Sequence, residues 1–342
     1  MKILEQAIKL FSLWDYDCRE LEGHEGGRNR IFICSKAGEK KFVLRISTTG
    51  DRSENDYLAE TEFVHYLAEN GAPVADVIPS VNGKLVEVID ADGTGADDAG
   101  TSPVFISLFE YAKGMLLCDN GYRYRDGATL EEYFFNTGKT LGKIHALSKN
   151  FEPVAAPRRP DYFDKYNMDY LNHLIPDKYS ELKSAIAARL EKFHALPTDS
   201  QSYGLVHFDF SDGNYHIDMT TGNITVFDFD NCMYCWYMFD LANLWLHNEG
   251  WTRQEPDPKK RFAIMQQCFE LQLKGYKSQT SISDELLNQL PLFIDMVLIE
   301  NIVDEFECAV REGQELDYED IEDAAECLIN GIPYAGFRKE EA

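Results

Sequence analysis

The chain has 342 residues, of which 44% are hydrophobic and 13% aromatic, and its formal net charge is −26. This composition is enough for one large core or two smaller ones, and it excludes a disordered chain. Because Asp and Glu outnumber Lys and Arg by 59 to 33, we expect no nucleic acid and no anionic membrane as a partner.

The first 14 residues predict an amphipathic helix rather than a secretory signal. The sequence contains no apolar run of about 18 residues, the length that a membrane-spanning helix needs. We therefore expect a cytoplasmic protein whose eight cysteines are reduced thiols.

A glycine-rich turn is predicted after this helix. Residues 22–30 read EGHEGGRNR and precede a strand-like segment at residues 31–34. Backbone N–H groups at Gly26 and Gly27 could lie over phosphates, although turns of this kind also occur without any ligand. The turn is therefore a candidate nucleotide site that needs support from the rest of the chain.

Arg45 lies in the next strand-like segment, which reads KFVLRI at residues 41–46. Its apolar neighbours predict burial, and a buried guanidinium needs an anionic partner because an unpaired buried ion is costly. A helix predicted for residues 60–67, with apolar residues three and four apart, offers Glu60 and Glu62.

A strand and linker at residues 105–114 are predicted to separate a part of the chain that contains strands from a later part that is mainly helical. We predict an N-terminal lobe over residues 1–112 and a C-terminal lobe over residues 113–342. The later part is mainly helical, with predicted helices beginning at residue 130 and covering residues 170–196, 259–276, 284–307 and 319–328.

The residues that carry chemistry lie within positions 204–241. His207, Asp209 and Asn214 form H-x-D-x-x-x-x-N, and Asp228 and Asp230 follow as D-x-D. Asp228 stands 14 positions after Asn214 (228 − 214), at the end of a β-branched strand preceded by a Thr-Gly turn. A hairpin is therefore predicted between the two motifs.

Phosphoryl transfer from ATP requires this set of groups. One carboxylate positions or deprotonates the attacking hydroxyl, a role that suits Asp209. An amide oxygen and a second carboxylate hold Mg²⁺, roles that suit Asn214 and Asp228. An isolated H-x-D is usually a hydrogen-bonded turn, but the spacing and the intervening strand favour the functional interpretation. His207 is expected to brace the loop rather than to act as a base.

This segment resembles the catalytic and metal-binding loops of the aminoglycoside phosphotransferase and choline kinase family. Members typically read H-G-D-x-x-x-x-N, then an apolar strand ending in D-x-D, then D-L-A; here D-L-A begins at Asp240, 12 residues after Asp228. Phe208 replaces the usual glycine and adds bulk beside Asp209. The resemblance implies an α+β, protein-kinase-like fold with a small antiparallel N-terminal β lobe and a larger, mostly helical C-terminal lobe. It implies nucleotide binding for the N-terminal lobe, residues 1–112, and catalysis and acceptor binding for the C-terminal lobe, residues 113–342.

The resemblance also implies a nucleotide site for ATP with Mg²⁺. Arg45 stands where the family carries the lysine that pairs with phosphates, and this position supports the glycine-rich turn before it. Glu60, seven residues before Leu67, is the implied ion-pair partner. Backbone groups from Glu110 to Ala112 are implied to line the adenine.

The acceptor is predicted to be a small-molecule alcohol. D-L-A follows the metal motif almost at once, which leaves no room for the substrate-binding segment of protein kinases. Homoserine, choline, sugars and aminoglycosides are candidate acceptors, and an amino-bearing one is weakly favoured. The C-terminal helices offer candidate contacts at Trp245, His247, Glu249, Trp251, Asp295, Glu300 and Asp304.

Two other functions remain open from the sequence. A non-catalytic kinase-like protein would bind nucleotide only; the intact Asp209, Asn214 and Asp228 oppose this alternative, and Arg45 is its only support. A metal-dependent phosphohydrolase would use the same D-x-D carboxylates but would not need an ion pair at Arg45. The oligomeric state and the choice between ATP and GTP are not predicted.

Overall fold

The computed structural model describes residues 2–22, 28–48, 50, 52–89, 103–154 and 158–334. Their strands are β1 (Asp17–Glu20), β2 (Asn29–Lys36), β3 (Glu39–Ser47), β4 (Val77–Ile78), β5 (Glu87–Ile89), β6 (Val104–Glu110), β7 (Tyr203–Val206), β8 (Tyr215–Ile217), β9 (Ile224–Val226) and β10 (Met233–Trp236). Their α-helices are α1 (Lys2–Leu10), α2 (Glu54–Glu69), α3 (Leu130–Ser148), α4 (Tyr162–Lys165), α5 (Met168–Leu174), α6 (Ser180–His194), α7 (Tyr237–His247), α8 (Pro258–Lys277), α9 (Asp284–Leu287), α10 (Leu290–Glu312) and α11 (Tyr318–Asn330).

The chain divides into two compact units. Unit 1 comprises Met1–Arg123, Phe151–Arg159 and Tyr215–Asp230. Unit 2 comprises Tyr124–Asn150, Pro160–Asn214 and Asn231–Ala342. The described strands of unit 1 and the many helices of unit 2 confirm the predicted α+β class.

Unit 1 is built on an antiparallel sheet with strand order β1-β2-β3-β6-β4, in which β5 also pairs with β6. Alternate residues of the strands face one apolar core, because successive side chains of a strand point to opposite faces. This core is closed by the first helix, α1, and includes Ala7, Phe32, Leu44, Ile46 and Ile106. Helix α2 begins after Ser53, whose backbone N–H donates to the Asp56 carboxylate at 2.9 Å in a capping box.

The predicted hairpin is present as β8 and β9, and it belongs to unit 1. Gly222 has a φ of +75°, a left-handed conformation that glycine adopts without steric cost, and it follows the turn before β9. The Val226 carbonyl accepts from the Ala75 N–H at 2.8 Å, and the Val226 N–H donates to the Pro73 carbonyl at 2.9 Å. These bonds fix the end of the strand that leads to Asp228.

In unit 2, helices α3 and α8 approach each other through glycines. A Cβ at Gly138 would lie 1.8 Å from the Gln272 carbonyl oxygen, and one at Gly275 would lie 2.0 Å from the Phe135 carbonyl oxygen. Real Cβ atoms do not come this close to backbone, so the two helices can pack at this distance only because both positions lack a side chain.

Two predicted helices are interrupted. The helix predicted over residues 170–196 is divided into α5 and α6 at Pro176, because proline has no N–H for the helical ladder and disfavours a helical residue before it. The helix predicted over residues 284–307 is divided into α9 and α10 at Asn288 and Gln289. In the described part of the chain, no helix combines the length and the apolar character needed to cross a membrane.

The contact between α3 and α8 predicts that Gly138→Ala destabilises the protein, although alanine favours helix. The added methyl group forces the two helices apart, and overpacking of this kind costs about 1–3 kcal/mol. Gly250→Ala is the matched control, because a Cβ built there meets no atom within 4 Å beyond its own local backbone. Urea unfolding of both variants checks the prediction. Equal stability of Gly138→Ala and the parent protein would contradict it.

Candidate active site

The predicted ion pair between Arg45 and Glu60 is present in unit 1. The two terminal guanidinium nitrogens of Arg45 donate to the two carboxylate oxygens of Glu60, each at 2.8 Å. Arg45 is 4% exposed and Glu60 1%. The guanidinium also lies over the rings of Tyr57 and Phe109, at 5.5 and 4.9 Å from their centroids.

Nearby carboxylates stabilise the charged form of Arg45. Burial alone would lower the pKa of Arg45, but the adjacent Glu60 carboxylate, together with Asp230 and Asp228, outweighs burial and holds that pKa above its usual value. Glu62, the competing partner considered from the sequence, accepts instead from the Val154 N–H at 2.6 Å.

Asp230 is a second centre of charge in unit 1, and its partners were not predicted. Its carboxylate accepts from Arg28 at 3.0 Å and from Asn29 at 3.3 Å. Its backbone carbonyl accepts from Arg52 and, at 2.8 Å, from Arg159. Burial opposes ionisation of Asp230, but the nearby arginines outweigh it and hold the pKa of Asp230 below its usual range.

Arg159 links Asp230 to the helix that carries Glu60. Its guanidinium donates to the Asp230 carbonyl and, at 3.0 Å, to the Asp56 carbonyl in the first turn of α2. Because Asp230 and Asp228 are only two residues apart, this network fixes the backbone around Asp228 relative to α2.

Asp228 is held in a strained conformation. Its φ is +62°, in the left-handed region that residues other than glycine rarely adopt, and its side chain is exposed. Such strain persists only when the surroundings impose it, and it is concentrated at functional sites. Here the hydrogen bonds of Val226 and Asp230 lie on either side of Asp228.

In unit 2, the loop that carries Asp209 is fixed by Asp240 of the D-L-A motif. The Asp240 carboxylate accepts from the backbone N–H groups of His207 and Phe208, each at 3.0 Å. It also contacts His145 Nε2 at 3.0 Å. Burial lowers the pKa of His145, although Asp240 opposes this effect. His207 is fully buried, which agrees with the predicted bracing role.

Phe208 lies at the position where the family pattern has glycine. Its φ is +72°, a conformation that glycine adopts freely. The Phe208 ring is buried and stacks on Phe239, with centroids 4.2 Å apart and an interplanar angle of 3°. We infer that ring burial and stacking offset a backbone strain of about 1–2 kcal/mol.

Asn214 is oriented so that its oxygen can bind a cation. Its Nδ2 donates to the Asp209 carbonyl at 2.8 Å, which directs the amide oxygen away from that bond. This arrangement fits a hard divalent ion, which prefers carbonyl and carboxylate oxygens. The exposed Asp228 carboxylate fits the same chemistry.

The linker predicted to contact adenine follows β6 in unit 1. The Glu110 N–H donates to the Asp76 carbonyl at 2.8 Å, and the Ala112 carbonyl accepts from His216 at 2.8 Å. The Glu110 N–H and the Ala112 carbonyl, two of the backbone groups predicted to contact adenine, therefore already form hydrogen bonds within the protein. Gly26 and Gly27, predicted to lie over the phosphates, fall outside the described residues.

Several predicted acceptor contacts have other partners in unit 2. Asp295 pairs with Arg189 at 3.1 Å, Glu249 accepts from Tyr334, and Trp251 packs against Phe134. Glu300 on α10 differs: burial, together with the charges of Asp304 and Asp209, raises its pKa to about 8.

Arg45→Ala is predicted to be strongly destabilising. It leaves the Glu60 carboxylate buried without a cation, and loss of one partner of a buried pair costs about 3–5 kcal/mol. Arg30→Ala is the matched control, because Arg30 and Glu20 make the same two-point contact, at 2.7 Å each, on the protein surface. An exposed pair contributes about 1 kcal/mol or less. Urea unfolding measures the free energy of unfolding of both variants, and similar losses of stability in the two would contradict the prediction.

The model of the phosphotransferase enzyme family (APH) matches residues 20–267. The chain therefore belongs to this family, and the predicted class, a small-molecule kinase with a hydroxyl group as acceptor, is confirmed.

Individual relatives agree with this class. Amicoumacin kinase of Bacillus subtilis (strain 168) is 27% identical over 266 residues, which cover 78% of this chain and 74% of the relative. The solved structure of amicoumacin kinase hAmiN, in complex with AMP-PNP, Ca²⁺ and Ami, has a TM-score of 0.76 and 22% sequence identity to this chain. The matched part covers 97% of this chain and 93% of hAmiN. The structure of a microcompartment-associated aminopropanol kinase has a TM-score of 0.67 and 19% sequence identity, and the match covers 97% of this chain and 94% of that kinase. The structural similarities confirm the predicted kinase-like fold.

Proposed function

We propose that this protein transfers the γ-phosphoryl group of MgATP to a hydroxyl of an amino-bearing small molecule. The observation that carries the proposal is the arrangement around the two carboxylates of the predicted catalytic motifs. Asp209 lies on a loop braced by Asp240, and Asp228 is held in a left-handed conformation beside the arginine-bound Asp230.

Asp209 is assigned the role of base. It accepts the proton of the acceptor hydroxyl as the hydroxyl oxygen bonds to the γ-phosphorus and the bond from that phosphorus to the β-phosphate oxygen breaks. Asn214 and Asp228 are assigned as ligands of Mg²⁺. When bound, the ion supplies positive charge to the phosphate oxygens. The solved hAmiN complex contains AMP-PNP and Ca²⁺, which supports nucleotide and divalent-ion binding by this chain.

In unit 1, Arg45 is assigned to the phosphates, with Glu60 keeping its guanidinium in place. The linker is assigned to adenine. Because the Glu110 N–H and the Ala112 carbonyl are engaged within the protein, the Glu110 carbonyl and the Ala112 N–H are the backbone groups that we assign to the adenine edge.

The amino group of the acceptor is assigned to α10. Glu300 and Asp304 are four residues apart and share one face of that helix. Glu307, on the same face, is paired with Lys165 at 3.0 Å. The pKa of Glu300 is raised by burial and by the charges of Asp304 and Asp209, which outweigh the opposing charge of Lys165. An ammonium group beside Glu300 would favour its ionised form. The name of the aminopropanol kinase is consistent with an acceptor that carries both an amino and a hydroxyl group.

ADP release with a panel of acceptors tests the function. We expect release above the acceptor-free rate for an amino alcohol or aminoglycoside but not for its deaminated analogue. Equal ADP release with and without every acceptor would favour a phosphohydrolase.

Asp209→Asn keeps the shape of the side chain but loses the base, so turnover should fall by at least about 10²-fold while ATP affinity stays nearly unchanged. Near-parental turnover of Asp209→Asn would remove Asp209 from the mechanism.

The pKa of Glu300 predicts how acceptor binding depends on pH. In the free protein Glu300 is mainly protonated below about pH 8 and must lose its proton to pair with an ammonium group. The KM of the acceptor should therefore fall as the pH rises from 6 to 8, by up to about tenfold per unit. Glu300→Gln should raise that KM and lose the pH dependence. Retention of the full pH dependence in this variant would assign it to another group.

A further inference from the structure

Two cysteines lie opposite each other across the first two strands of unit 1. Cys18 on β1 is directly opposite Cys34 on β2 in the antiparallel register. In the same ladder the Leu21 N–H donates to the Ile31 carbonyl, at 2.8 Å, which makes those two residues a hydrogen-bonded pair. Because the two kinds of pair alternate along an antiparallel ladder, Cys18 and Cys34 form a non-hydrogen-bonded pair.

This geometry suits a disulfide. The Cα atoms of a non-hydrogen-bonded pair lie about 4.5 Å apart, and disulfides span about 4.4–6.8 Å between Cα atoms. The two Sγ atoms already lie 2.6 Å apart. The register and the short sulfur separation therefore favour closure by small side-chain rotations.

We propose that Cys18 and Cys34 are a reversible modification site that closes to an intramolecular disulfide under mild oxidation. The partly buried Cys18 is the thiol that meets the oxidant, and the fully buried Cys34 is the thiol that resolves the intermediate. Neither cysteine is among the residues assigned to phosphoryl transfer.

A small disulfide such as oxidised glutathione is a sufficient oxidant. The Cys18 thiolate attacks one of its sulfurs, the glutathione S–S bond breaks, and one glutathione thiolate leaves. The Cys34 thiolate then attacks Cys18 Sγ and releases the second glutathione. The two protein thiols lose two electrons and two protons, and both glutathiones end as thiols. Burial raises the pKa of both cysteines, so the reaction should be faster at higher pH.

The disulfide is expected to stabilise unit 1. It would close a loop of 16 positions (34 − 18), which contains the glycine-rich segment between β1 and β2. Closing a loop of this length restricts the unfolded chain, and because the residues are already opposite, little strain is introduced in the fold. We expect the melting temperature to rise by about 5 °C or more.

The test uses the full chain equilibrated with glutathione buffers of increasing oxidation, and with diamide as a stronger oxidant. Free thiols are blocked with N-ethylmaleimide, and disulfide-linked peptides are located by mass spectrometry. Cys18→Ser and Cys34→Ala remove the site. Cys118→Ser is the matched control, because Cys118 is an exposed thiol outside the pair. Melting temperatures are measured for each sample before and after reduction.

We expect a linked Cys18–Cys34 peptide, a loss of two free thiols and the melting shift in the parent protein and in Cys118→Ser, all reversed by dithiothreitol. Both site variants should show none of these changes. A disulfide between Cys232 and Cys235, which have C-x-x-C spacing but are fully buried, would overturn the assignment. So would a dimer linked through Cys18, or unchanged thiols even with diamide. None of these readouts depends on kinase activity, so the proposed function stands or fails separately.

Discussion

The buried ion pair between Arg45 and Glu60 is the interaction on which the arrangement of β3 and α2 depends. A guanidinium inside an apolar sheet is tolerated only opposite a carboxylate, and here both donors and both acceptors are engaged. The pair therefore fixes the register of β3 and the rotation of α2 together. A slip of one residue would direct the apolar Leu44 or Ile46 toward Glu60 and turn Arg45 to the other face.

The sequence could predict this pair because burial and charge are both visible in it. An arginine among apolar strand residues needs an acid, and a helix with a suitable apolar face offered two. The catalytic motifs were equally visible, since their spacing includes the strand that became β9. The arginines around Asp230 could not be predicted in this way: Arg28, Arg52 and Arg159 lie 202, 178 and 71 positions from it, and no local periodicity records such contacts.

Phe208 shows how a departure from a family pattern can be read only with the backbone known. The sequence indicated extra bulk beside Asp209 but not its consequence for the loop. In the structure the residue has a φ of +72°, so this position requires a left-handed backbone conformation, which glycine adopts without strain. The ring of Phe208 makes its own contact with Phe239, and the loop keeps the two N–H bonds to Asp240.

Charge is distributed unevenly in a way that matches the two substrates proposed here. Although acidic residues outnumber basic ones by 59 to 33, unit 1 gathers four arginines, Arg28, Arg45, Arg52 and Arg159, around two buried carboxylates. This concentration is what a polyanionic phosphate donor requires of an acidic protein. In unit 2, burial of Glu300 on α10, together with the like charges of Asp304 and Asp209, raises its pKa to about 8. In the proposed role, Glu300 must lose its proton before it can pair with the ammonium group of the acceptor, so acceptor binding and the protonation of Glu300 are coupled.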